Sequence, residues 1–270
     1  MFTRKLSRLA LAVLALFAMS CGSRENRKTA STDGFDASKS DPKAIQIVDA
    51  MFDAMGGPEA WQKARYLSYH WILEKDGHVL RDFRHDWDRN TNQYRVEGTS
   101  RKGAHFVVLF NTQTKEGKAY VEGVEVPSDS LTKWIDQAYG RFINDSYWLL
   151  MPYKLKDPGV VLNYDGEKEI DGSLYDVVKV TFENVGLTPK DTYWAFIDKK
   201  TRLMKKWEYV LQGQQPPATS AWWKDWQTFG GIKLAMGREF DDRPFRIYFK
   251  EIKVSATPSA EIFALTANTF

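Results

Sequence analysis

The chain has 270 residues, with 38 Lys and Arg against 35 Asp and Glu, four His and one Cys. Three of the basic residues, Arg4, Lys5 and Arg8, stand in the first ten positions, so the rest carries 35 charges of each sign and no basic stripe that could serve as a nucleic-acid footprint. A single cysteine excludes an intramolecular disulfide, so stability must come from a hydrophobic core.

After the three basic residues, Leu9 to Ala18 form an apolar run of about ten residues that leads through Met19-Ser20 to Cys21. A membrane span takes ~20 apolar residues, so the run reads as an export signal. Its layout resembles a bacterial lipoprotein signal peptide, with Ala18 where that signal prefers Leu or another aliphatic residue. The resemblance implies cleavage before Cys21 and attachment of lipid, palmitate included, at this thiol. An ordinary secretory signal with a leftover thiol is the other reading; both place the protein outside the cytoplasm. Gly22 does not resemble the aspartate that retains some lipoproteins in the inner membrane, which points to the outer membrane, facing the periplasm. From residue 21 to 40 the chain is polar and reads as a tether, with the folded domain at residues 41–270.

Asp41-Pro42 starts a helix whose apolar positions are Ile45, Val48, Phe52 and Met55, and Gly56-Gly57 ends it. A short helical piece with Trp61 follows. The pattern then turns strand-like. Across Lys75-Asp76-Gly77-His78 two registers compete: an unshifted two-residue turn sets Tyr69 and Trp71 beside charged residues, whereas a one-residue shift sets them beside Phe83, His85 and Trp87. The shifted pairing gives one aromatic and one charged face and is preferred. Further strands are expected at 93–98, 106–112 and 118–122. Ser128 or Ser130 can cap a helix with a stripe of Leu131, Trp134, Ile135, Ala138 and Phe142. It runs into Trp148-Leu149-Leu150-Met151-Pro152. Strands resume at 160–164, 174–182, 192–197, 203–211, 220–229, 232–240 and 245–254. The expectation is a mainly β chain of about eleven antiparallel strands with two or three helices. In Trp222-Trp223-x-x-Trp226, strand alternation puts Trp222 and Trp226 on one face and Trp223 on the other.

The order of helix, Met55-Gly56-Gly57 with Trp61, long first hairpin, mid-chain helix ending in Trp148-Leu149-Leu150-Met151-Pro152, then Gly166 to Lys179 with Asp171-Gly172, resembles the LolA/LolB-like superfamily of bacterial envelope proteins. The resemblance implies a half-open antiparallel β-barrel whose concave side is closed by helices and holds an apolar ligand such as lipoprotein acyl chains. A wide curled sheet needs plugging helices, a ligand or both, and 16 Phe, 12 Tyr and 10 Trp are available to line it. A packed sandwich core is the alternative use of those rings. The expected ligand-binding residues are Trp71, Phe83 and Trp87 on the aromatic strand face, Trp134 on the helix stripe, and Trp148, Leu149 and Leu150 as a lid or docking edge.

No hydrolase elbow, phosphate loop or dinucleotide fingerprint occurs, and His70, His78, His85 and His105 lack zincin spacing. No metal, cofactor or catalytic residue is nominated. Asp86 with Asp88 and Asp241 with Asp242 read as solvated edges. The function expected is a lipid-anchored carrier or receptor for acyl chains in the cell envelope, with an envelope hydrolase or a surface-binding scaffold as alternatives.

Overall fold

The computed structural model describes residues 34–183, 189–258 and 261–264; the leader and Cys21 lie outside them. Asp41 caps helix α1, Pro42–Ala54, by accepting from the Lys43 N–H at 2.8 Å, with Pro42 in the first turn. Gly56, at φ +120°, turns the chain into α2, Gly57–Lys63. Arg89 finishes α2: its guanidinium donates to the carbonyls of Trp61 and Ala64 at 2.9 and 2.7 Å and stacks 3.6 Å over the Trp61 ring, and burial pulls its pKa down to about 10.

The strands are β1 Tyr66–Lys75, β2 His78–Asp88, β3 Gln93–Thr99, β4 His105–Asn111, β5 Gly117–Val121, β6 Val124–Glu125, β7 Val160–Ile170, β8 Ser173–Phe182, β9 Thr192–Asp198, β10 Met204–Val210, β11 Thr219–Phe229, β12 Ile232–Phe240 and β13 Phe245–Ser255. They form one antiparallel sheet in the order β6-β5-β4-β3-β2-β1-β13-β12-β11-β10-β9-β8-β7. Each segment expected as a strand is present, and with the two-residue β6 the count is 13 where about eleven were expected. Two meanders meet at the β1–β13 pair, and the end strands β6 and β7 do not join, so the barrel stays half open. This is the architecture implied by the LolA/LolB-like resemblance.

The first hairpin reconciles the competing registers. Asp76 and Gly77, at φ +49° and +78°, make the two-residue turn, with Lys75 opposite His78. A bulge between Leu73 and Glu74 then shifts the ladder, pairing Trp71 with Phe83, Tyr69 with His85 and Leu67 with Trp87. His70 faces the other side, 2.7 Å from Asp82.

One face of the sheet is covered by α1, α2 and α3, Ser128–Leu150, which is followed by a 3-10 turn at Met151–Lys154. Pro127 occupies the cap position of α3, so Ser128 and Ser130 lie inside its first turn. Val48, Met51 and Phe52 of α1 and Ile135, Ala138, Leu149 and Leu150 of α3 are buried against the strands. No described helix is long and apolar enough to cross a membrane.

Three expectations fail for local reasons. Asp225 takes φ +57°, which breaks strand alternation and brings Trp226 to the side of Trp223, their centroids 6.3 Å apart, while Trp222 donates to Asp241 on the outer face. Asp86 and Asp88 are buried rather than solvated: Asp86 accepts from the Tyr66 hydroxyl and lies 3.2 Å from Arg84, and Asp88 accepts from the Asn90 N–H and the Thr91 hydroxyl. The segment expected to be tether is ordered from Gly34: Phe35 packs on the core, and Ser40 and Asp41 bond to Leu162 of β7.

Candidate ligand-binding cleft

The aromatic strand face is a solid core. Trp71 stacks on Phe83 at 6.2 Å, Phe83 meets Phe106 at 5.9 Å, and α3 closes over them with Trp134 5.8 Å from Phe106 and Phe142 5.1 Å from Trp87. Trp71, Phe83, Trp87 and Trp134 therefore lie together on the covered face, packed through neighbouring rings. Leu149 and Leu150 are 1% and 0% exposed and form part of the same core, so they are not lid residues. The greasy stretch expected at an opening is the last turn of α3, anchored inward.

Trp148 is different. With Tyr147 it borders a cleft of about 310 Å³ between α3 and the strands β9 and β10, walled also by Gly140, Ile143, Tyr193, Trp207, Tyr209 and Leu211, with Asn144 and Asp191 as its polar members. Asn144 is exposed and Trp148 half-buried, so the cleft opens to solvent along that side. Its rings support one another: Trp207 lies 4.8 Å from Trp148, 5.3 Å from Tyr193 and 5.6 Å from Tyr209. Asp191 is held by the Tyr193 hydroxyl, which donates at 2.8 Å, and by the Gln212 N–H at 2.6 Å. Burial, then the neighbouring Tyr147 and the bond to Asp191, push the Tyr193 pKa up. Burial, with Asp157 and Asp191, does the same for Tyr147.

Of the seven ligand-binding residues expected, only Trp148 lines this cleft. The others that do, from β9 and β10, gave no sequence signal beyond strand alternation, which leaves open whether a ring fills a core or walls a gap. A wider depression of about 440 Å³ on the outer face is bordered by Lys200, Lys205, Lys224, Asp198 and Asp225, solvated groups that do not suit an apolar ligand.

A buried acid–base pair lies deeper under α3. His85 Nε2 is 3.2 Å from Asp145 Oδ2, His85 Nδ1 is 2.7 Å from the Tyr94 hydroxyl, and Tyr69 stacks on the imidazole at 4.9 Å. His85 is fully buried and Asp145 3% exposed. The pair lies between α3 and β2, and its two facing atoms make no hydrogen bond in this geometry. Among the described residues no cluster of His, Cys, Asp and Glu could hold a metal ion.

A family model described as a family of unknown function, DUF6503, matches residues 85–216. No curated protein matches. Among solved structures, the chain is similar to a DUF1329 family protein from Desulfovibrio piger, with 13% identity over 82% of this chain and 96% of that one and a TM-score of 0.49. A LolA superfamily protein from Nitrosomonas europaea aligns with 9% identity over 80% and 94% of the two chains, TM-score 0.49. A putative outer membrane lipoprotein-sorting protein domain from Vibrio parahaemolyticus aligns with 9% identity over 82% and 96%, TM-score 0.45.

Proposed function

We propose that this chain is a lipid-anchored cell-envelope protein that binds one apolar chain of an amphipathic ligand in the cleft beneath Trp148, acting as a carrier or receptor. The observation that carries this reading is an aromatic-walled gap, open to solvent at Asn144, between α3 and the strands β9 and β10. Its volume of about 310 Å³ is at the small end of small-molecule sites, which suits a single chain and not a multiply acylated head. Each buried methylene stabilises the complex by about 0.8 kcal/mol, so a chain leaves a membrane only for walls of this apolar kind. Attachment of the anchor at Cys21 and an outer-membrane location belong to the same reading. Fatty-acid labelling that marks Cys21→Ser as strongly as the wild type would remove the anchor from it.

Gly140 supplies the test of binding. It sits in the middle of α3, lines the cleft, and a Cβ placed there meets nothing within 4 Å. Gly140→Leu should fill the gap while relieving α3 of a poor helix former, a gain of about 0.5–1 kcal/mol. Binding of a fluorescent acyl probe is expected to fall at least about tenfold while Tm stays level or rises. A wild-type protein that binds no probe, or a Gly140→Leu protein that binds it as well as wild type, would sink the reading.

A further inference from the structure

We propose that the cleft selects its ligand by the charge of the head group, taking an amphiphile with a soft cationic head, such as a quaternary ammonium, over one with a carboxylate. The inference rests on the binding reading above and adds the ligand class to it.

The lining brings one carboxylate, Asp191, and five aromatic rings, those of Tyr147, Trp148, Tyr193, Trp207 and Tyr209, and it contains no Lys, Arg or His among the described lining residues. Aromatic faces present negative potential, and a cation within about 6 Å of a ring centroid is attracted to it. The centroid of Tyr193 stands 5.3 Å from that of Trp207 and 6.0 Å from those of Tyr147 and Tyr209, so the rings form one continuous aromatic wall. A diffuse ammonium is suited to such walls because it asks for no directed hydrogen bonds.

Asp191 adds a full charge at a fixed point. It is 3% exposed and its partners include the Tyr193 hydroxyl and the Gln212 N–H, so it neither swings away nor is well screened by water. Burial is the first cause of the raised pKa values of Tyr193 and Tyr147, and Asp191 adds to both, so its charge is felt at these two rings. A fatty-acid carboxylate entering this space would be repelled by the Asp191 carboxylate. Two guanidinium groups stand behind the walls and are engaged elsewhere: Arg243, beside Tyr209, by Asp242 at 2.7 and 2.8 Å, and Arg238 by the Trp148 carbonyl and the Trp223 ring.

The experiment compares dodecyltrimethylammonium, dodecanoate and the neutral dodecanol by calorimetry on the folded wild-type protein, each below its aggregation concentration. The ammonium is expected to bind at least about tenfold more tightly than dodecanoate, with the alcohol between them. Asp191→Asn keeps an acceptor for Gln212 and a partner for Tyr193 while removing the charge, and should cut the preference to about threefold or less. Dodecanoate binding as tightly as the ammonium overturns the selectivity and leaves the carrier reading standing. Binding of none of the three overturns both. The wild-type comparison decides the matter even where Asp191→Asn does not fold, and an unchanged preference in a folded Asp191→Asn protein overturns the role given to Asp191.

Discussion

Arg238 grips the carbonyl of Trp148 with two N–H groups, Nε at 3.0 Å and Nη2 at 2.6 Å, while its guanidinium lies 3.4 Å over the Trp223 ring. The arginine is fully buried on β12, and its remaining donor reaches the carbonyls of Ala235 and Gly237. It thus fixes the C-terminal end of α3, where a positive charge also complements the helix dipole, and with it one wall of the cleft. The arrangement costs desolvation, which pulls the Arg238 pKa well below its ordinary value.

That balance predicts an order of stabilities. Arg238→Met removes the buried charge but leaves carbonyls without donors, a loss of about 1–3 kcal/mol. Arg238→Lys keeps a buried charge and loses the planar fork, so it should be the less stable of the two. Urea unfolding of both variants checks this; a lysine variant more stable than the methionine one would mean that satisfying Trp148 outweighs desolvation.

Gly56 makes a second prediction. A Cβ there would lie 2.2 Å from the carbonyl oxygen of Gly231, in a backbone at φ +120°. The adjacent Met55 carbonyl accepts from Lys233 at 2.8 Å and lies 2.9 Å from the Tyr153 hydroxyl, so neither partner can retreat without breaking the joint between α1 and β12. Gly56→Ala should lower stability by more than about 2 kcal/mol. Gly77→Ala, at φ +78° with open space around it, should cost only about 1 kcal/mol. Equal losses in thermal melts would count against the clash.

The sheet was legible because its strands alternate cleanly and its turns carry Asp-Gly and Gly-Gly pairs. The first hairpin shows how far this reaches: the burial pattern chose the register that pairs Trp71 with Phe83, although the turn alone favoured the other. What stayed hidden depends on single backbone angles or on distant packing. The positive φ of Asp225 moves Trp226 across the sheet, and nothing in the local sequence demands it. Likewise, apolar residues at a helix end read the same whether they cap an opening or enter a core. Leu149 and Leu150 enter the core, and Trp148, beside them, borders the cleft.

The buried phenols set an alkaline limit. Burial holds the pKa values of Tyr69, Tyr94, Tyr147 and Tyr193 above the ordinary value of 10.0 in the folded state. A folded pKa above the unfolded one means that the contribution to stability is complete below pH 10 and is lost as pH rises beyond it, because only the unfolded chain can ionise there. Stability should therefore decline above about pH 10, with phenolate absorbance of these residues appearing in one cooperative step together with loss of the native tryptophan emission. Their gradual titration in a protein that keeps native emission would show that they are not sealed.

The last prediction concerns the free edge of the sheet. β7 is an end strand of 11 residues, and the chain just before α1 covers part of its open side: Asp41 N–H donates to the Leu162 carbonyl at 2.8 Å, and Leu162 N–H donates to the Ser40 hydroxyl at 3.0 Å. Lys39 reaches Glu183 at 2.7 Å, and Phe35 packs on the core. Unpaired edge groups invite another strand, so this cover both stabilises the domain and blocks association. The surface ion pair contributes little, whereas the two bonds to the Leu162 backbone, the buried part of Phe35 and the Asp41 cap on α1 together amount to about 2–4 kcal/mol. A chain beginning at Gly34 should keep that stability, and one beginning at Lys43 should melt lower and sediment as a concentration-dependent dimer or larger species. Equal melting temperatures and a monomeric shorter chain would show that β7 protects its own edge, by the positive-φ Gly166 and the shift of register between Tyr164 and Glu167.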